Sequence, residues 1–210
     1  AQAGALDAIS SGDASAGVKE ALAKGADYAV SSLGKSGGFM GNDKVKIKLP
    51  GYLEKADSAL RMFGMGKQAD QLVETMNRAA ENAVAEAKPI LTESIKKMSV
   101  KDAKDILTGG EDSVTQYFKR TSTDQLTAKF KPVVKKETAK LKLADQYNKF
   151  AGKAASAGLV DKQNADVDSY VTQKAMDGLF LMIAEEEKKL RANPMGAGSD
   201  LLKNVFGALN

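Results

Sequence analysis

The sequence predicts an all-α fold: a single compact multi-helix domain of about eight helices, with a short extended or hairpin segment near residues 44–49. Three observations carry this expectation. Apolar residues recur at three- and four-residue spacings through most of the chain. The Gly- and Pro-containing interruptions are short, and strict alternation occurs once. The 210 residues, 43% of them hydrophobic, suffice for a sizeable core. With no fixed-period repeat and no long polar linker, residues 14–210 are expected to form one domain behind a flexible segment 1–13.

The first helix is expected over 14–33, where Val18, Leu22, Ala26, Ala29, Val30 and Leu33 share one face. In the glycine-rich stretch that follows, Val45, Ile47 and Leu49 alternate with Lys44, Lys46 and Lys48 until Pro50 stops the pattern. The apolar side should lie on the helices and the lysines should face water. "YLEKADSALRMFG" opens the next helical region, which turns at "GMGK". The long helix from Gln68 to Met98 carries an apolar stripe through Ala69, Leu72, Val73, Met76, Ala80, Ala83, Ala87, Ile90, Leu91 and Met98. Pro89 is expected to kink or divide it, because proline lacks an amide donor.

Ser99 and Asp102 match a capping box for "VKDAKDIL", which ends at Gly109 and Gly110. A short helix is expected over 112–120, then a second one capped by Thr121–Thr123 and broken near Pro132. A turn at "GLVDKQNAD" precedes the last long helix, from Val167 to Ala192. A short amphipathic helix with Leu201, Leu202, Val205, Phe206 and Leu209 closes the chain. Residues 175–184, apolar except for Asp177, read as the central helix.

The absence of Cys, His and Trp excludes thiolate zinc sites, disulfides, imidazole ligands and the nucleophile–histidine catalytic arrangements. No catalytic motif, cofactor or metal site is expected, and the chain reads as a non-enzyme. The net charge of +4 comes from interspersed charges with few arginines and 6% aromatics, which argues against nucleic acid. No apolar run approaches a bilayer span. The small-residue-rich start, "AQAGALDAISSGDASAG", reads like the sequence that follows an export cleavage site.

The turn Thr108–Asp112 has the outline of a phosphate loop. It lacks a GK[ST] ending, however, and Glu111 and Asp112 would repel an anion, so it is expected to be a helix corner. Glu74, Arg78 and Glu81 lie opposite the long helix's apolar stripe. They form a solvated ion-pair ladder or, if other helices cover them, a buried polar network with Asn77 that could line a ligand cavity. Asp177, set among apolar residues, should be paired, with Lys174 or Arg78 as partner. "EEEKK" reads as a solvated helix end, and "DKQNADVD" lacks the glycine and terminal Glu of a calcium loop. In Lys129–Lys142, six lysines (Lys129, Lys131, Lys135, Lys136, Lys140 and Lys142) stand against one glutamate. Phe130, Val133, Val134 and Leu141 lie near one face, which suits an anionic membrane surface.

Five collinear blocks, "GGFMGNDKVKIKLP", "MNRAAENAVAEAKPI", "DAKDILTGGEDSVTQYFKR", "QYNKFAGKA" and "YVTQKAMDGLFLMIAEEEKKLRANP", together resemble the bacterial family catalogued as domain of unknown function 4197. The resemblance runs from about Val18 to Leu209. It implies an exported, periplasmic protein of the Gram-negative envelope and carries no catalytic residue set. The expected function is a non-enzymatic helical binding or scaffold protein enclosing a lipid or other apolar small molecule. The alternative is a peripheral membrane or protein-interaction factor acting through segment 129–142, and the third is a carboxylate-based hydrolase.

Overall fold

The computed structural model of the chain describes residues 11–50, 53–54, 57–141, 143–148 and 166–192, with side chains from residue 15 onward. The small-residue start up to residue 10, the turn at 158–165, the closing helix at 201–209 and Lys142 lie outside the described residues. Within them, seven helices and no strand are defined: α1 (Ser11–Leu33), α2 (Asp57–Met62), α3 (Gly66–Val84), α4 (Lys88–Lys96), α5 (Val100–Thr108), α6 (Ser113–Thr138) and α7 (Val167–Ala192). Residues 143–148 are also helical. The fold is all-α.

The chain divides into two compact units, one of Ala1–Ser31, Lys88–Asp124 and Leu179–Asn210, the other of Ser32–Ala87 and Gln125–Gly178. The divisions fall inside α1, α6 and α7.

In the first unit, α1 buries Val18, Leu22, Ala26, Ala29 and Val30, the face that the periodicity marks out. Pro89 stands second in α4, where a missing amide donor costs nothing, and the long apolar stripe is divided between α3 and α4. Ser99 and Asp102 form the reciprocal capping box: Asp102 N–H donates to Ser99 Oγ at 3.0 Å, and Ser99 N–H to Asp102 Oδ2 at 3.1 Å. Helix α5 ends at Gly109, and Gly110 takes the left-handed conformation at φ +105°. Buried hydroxyls cross-link α4 to α6: Ser94 and Ser122 are 2.6 Å apart, and Tyr117 Oη donates to the Ser94 carbonyl at 2.7 Å.

The expected break in α6 does not occur. One helix runs from Ser113 to Thr138 with Pro132 inside it. Proline leaves the Ala128 carbonyl without its helical donor, but both residues are exposed and water can replace the bond. Thr121 and Thr123 do not cap a new helix; their hydroxyls donate back to the carbonyls of Tyr117 and Lys119.

In the second unit the core includes Phe39, Ile47, Leu72, Met76, Leu126, Phe130 and Val134. Val45, Ile47 and Leu49 are buried, whereas Lys44, Lys46 and Lys48 are exposed, so the alternation is realised. The segment forms no hairpin. Residues 43–45 lie in a turn whose Val45 and Lys46 N–H groups donate to the Asn42 carbonyl, 46–50 take no regular structure, and the partners of Ile47 and Lys48 come from helices.

Candidate functional site

Helix α3 supplies those partners. Its apolar stripe faces the core, and Asn77 and Glu81 are buried next to it. Asn77 Oδ1 accepts the Ile47 N–H at 2.7 Å, and Asn77 Nδ2 donates to the Ile47 carbonyl at 2.9 Å. One side-chain amide therefore makes the two bonds that a neighbouring strand would make to Ile47. Asn77 Nδ2 also donates to the Val73 carbonyl at 2.7 Å, which fixes its orientation. On the next turn Glu81 accepts three amides of the glycine-rich loop. Gly37 N–H meets Oε1 at 3.1 Å, while Phe39 and Met40 N–H both meet Oε2 at 3.0 Å. Unmade, those bonds would leave the buried Phe39 amide and the part-buried amides of Gly37 and Met40 without acceptors, and this need accounts for a charged residue on α3's covered side.

The loop is held from the other side by packing. Phe39 is fully buried, and a Cβ placed on Gly178 of α7 would come within 2.8 Å of Phe39 Cε2. Only glycine at 178 lets the ring lie against that backbone. Tyr170, also on α7, donates its hydroxyl to the Lys48 carbonyl at 2.9 Å; burial pushes its pKa up to about 12, so the phenol stays a donor at neutral pH.

The segment held in this way forms one wall of an open groove of about 500 Å³. Met40, Ile47, Leu49 and Val73 contribute apolar lining. Lys46 and Lys48 from the segment, and Glu54, Asp57, Arg61, Asp70 and Glu74, supply its charged lining. Arg61 bridges α2 to α3 through Asp57 at 3.0 Å and Asp70 at 2.8 Å. The hydrogen bond from Arg61 holds Asp70 below the usual carboxylate range, and the Asp70 and Asp57 bonds raise the guanidinium further.

The predicted polar group thus separates into two pairs. Asn77 and Glu81 form a buried network that organises a loop. Arg78 and Glu74 form an exposed ion pair at 2.9 Å, with side chains 63% and 56% accessible. The structure does not bring Asp177 to either pair. Asp177 is exposed and accepts a hydrogen bond from Gln173 Nε2 at 2.8 Å, not a charge from Lys174 or Arg78. The expectation of a helix covered all round fails here because Lys174, Asp177, Leu181 and Lys188 make one exposed stripe along α7.

Lys129, Lys131, Lys135, Lys136 and Lys140 are all exposed, while Phe130 and Val134 are turned into the core. Glu137 is engaged by Asn82 at 3.1 Å. The outward face therefore carries the charge of an interfacial helix without its apolar half.

One buried carboxylate is not the solvated end that "EEEKK" suggests. In the first unit Glu187 accepts the N–H groups of Val114 at 3.0 Å and Thr115 at 3.3 Å, in the first turn of α6, together with the Thr115 hydroxyl. Arg191 Nε donates to the same carboxylate at 3.0 Å, and its Nη2 reaches the Ile106 carbonyl and Ser113 Oγ, each at 2.8 Å. Burial raises the Glu187 pKa, opposed by these amides and by Arg191. The phosphate-loop outline at 106–120 is thereby explained. The helix amides that would have met an anion already hold one from α7.

Among the described residues no cluster of carboxylates has metal-binding geometry, and no helix is long and apolar enough to cross a membrane. Neither the curated proteins nor the solved structures yield a match to the chain. A family model, described as a protein of unknown function (DUF4197), matches residues 8–207. Since that match spans both units and every helix described, the chain belongs to the DUF4197 family.

Proposed function

We propose that this protein is a non-enzymatic binding module of the Gram-negative envelope whose ligand lies along the groove of the second unit. One observation carries the reading: the groove wall is preorganised. Its segment at Ile47 and Lys48 is held by Asn77 and Tyr170 and the loop before it by Glu81, which lowers the ordering cost of ligand binding there. The volume of about 500 Å³ is within the range of small-molecule sites. The lining sets apolar side chains beside Lys46, Lys48 and Arg61 and beside Glu54, Asp57, Asp70 and Glu74, and an open groove of this kind favours an amphiphile whose polar head stays in water over an enclosed acyl chain. Among these charges Asp57, Asp70 and Arg61 are tied to one another, which speaks for recognition and against proton transfer. Placement in the envelope is what the family resemblance implies.

Native mass spectrometry of the protein isolated from a bacterial envelope fraction tests this. An added mass that extracts into organic solvent is expected, and Val73→Trp, which fills the groove, should abolish it without changing the melting temperature. Retention of the added mass by the Trp variant, or a bare polypeptide mass from the parent, rejects the groove as the site.

A second reading is favoured by the five exposed lysines of residues 129–140, which suit adsorption to an anionic surface. With Phe130 and Val134 covered, such adsorption is electrostatic and should be lost at high salt.

A further inference from the structure

Met62 and Phe63 are 84% and 82% exposed, whereas no other large apolar side chain among the described residues exceeds 47%. They sit on a fixed corner. Phe63 N–H donates to the Ala59 carbonyl at 3.0 Å, Gly64 N–H to Arg61 at 3.2 Å and Met65 N–H to Leu60 at 2.7 Å. With Gly64 at φ +78°, these bonds make a Schellman motif, and that left-handed position favours glycine. The motif assigns Leu60 and Met65, both half-buried, to its own apolar contact positions and leaves Met62 and Phe63 outside. Arg61, bonded to Asp57 and Asp70, ties the corner to α3. Two large apolar side chains are therefore held in water by a backbone with little freedom to fold them back.

We infer that Met62 and Phe63 are a lipid-inserting tip, seated at the boundary between headgroups and acyl chains of a bilayer. The available area decides against a protein partner. Two side chains of this size offer roughly 400 Å² between them, about half of the roughly 800 Å² per partner in a stable protein interface. Among the described residues their exposed sequence neighbours Ser58, Ala59, Gly64, Lys67 and Gln68 are small or polar and do not enlarge the patch. A bilayer needs no complementary surface and takes single apolar residues as they come. The nearby charges are compatible with it: Asp57 and Asp70 are both engaged by Arg61, and the exposed Lys67 lies in the first turn of α3, at headgroup level once the tip is inserted. The inference requires neither a ligand in the groove nor adsorption by the lysines of residues 129–140.

The chain has no cysteine, so Met62→Cys accepts a single environment-sensitive fluorophore. The labelled full chain is titrated with vesicles of phosphatidylcholine and phosphatidylglycerol in about 0.5 M salt, where attraction by exposed lysines is screened. Emission should shift to the blue and be quenched by lipids brominated on the acyl chain. In the unlabelled protein, Met62→Ser combined with Phe63→Ser should lower vesicle co-sedimentation about tenfold or more while leaving the melting temperature unchanged. Unchanged emission on adding vesicles overturns the inference. So does a blue shift that grows with protein concentration without vesicles, which would mark self-association, and so does a double-serine variant that sediments like its parent.

Discussion

Glu81 and Glu187 do the same work in the two units by different means. In the second unit Glu81 gathers three amides from an irregular loop that has no helix or sheet to satisfy it. In the first, Glu187 takes two amides at the start of α6, where the helix dipole already favours negative charge, and adds the cation Arg191. Glu81 gives a loop its shape, whereas Glu187 joins the ends of two elements that would form without it. Loss of Glu81 should therefore be felt locally, and loss of Glu187 as a general weakening.

The largest effect is expected from Glu187→Ala. It takes the carboxylate from the half-buried Arg191 and leaves the amides of Val114 and Thr115 without their acceptor, at a cost of about 3–4 kcal/mol by chemical denaturation. A loss below about 1 kcal/mol would mean that water replaces the carboxylate and that the two sites are not equivalent. Glu81→Ala should cost about 2–3 kcal/mol. Its distinguishing readout is hydrogen exchange: Gly37, Phe39 and Met40 should lose protection while the α6 amides keep theirs. Uniform loss of protection would remove the distinction between local and general roles.

The pH dependence sharpens the comparison. Burial raises the Glu187 pKa, so its contribution is fully present below the ordinary glutamate value and declines as pH climbs through the raised one. Urea titrations from about pH 4 to pH 7 should show the parent losing stability relative to Glu187→Gln. An advantage of the parent that grows with pH would contradict the raised value. The smallest effects are expected outside both networks. Arg78→Ala and Asp177→Ala should each lie within about 0.5 kcal/mol, as exposed groups do.

The helical frame was readable because it rests on local periodicity. The buried face of α1, the capping box at Ser99, the division at Pro89 and the alternation of 45–49 each depend on neighbours a few residues away. The misreadings involve distance or solvent. Glu187 looks like a surface charge among lysines, and only the amides of Val114, 73 residues earlier, make it an internal cap. Pro132 looks like a break because the sequence does not say that Ala128 faces water. Asp177 looks buried when its apolar neighbours are counted, yet it falls on α7's one exposed stripe. Of the candidate site, Asn77 and Glu81 stood out in the sequence as polar residues on the long helix; the loop they hold did not, since no pattern within α3 points to residues 37–47.

Asn77 bears on solubility as well as shape. A non-helical run such as residues 46–49 could serve as a template for a strand from another chain, because free N–H and C=O groups along an edge recruit partners. By taking both groups of Ile47, the Asn77 amide closes that edge at the centre of the run, and the lysines at 46 and 48 keep its outer face charged. A single side chain thus occupies the Ile47 groups that an added strand would use, while the amides of Val45 and Lys46 are already taken by the Asn42 carbonyl.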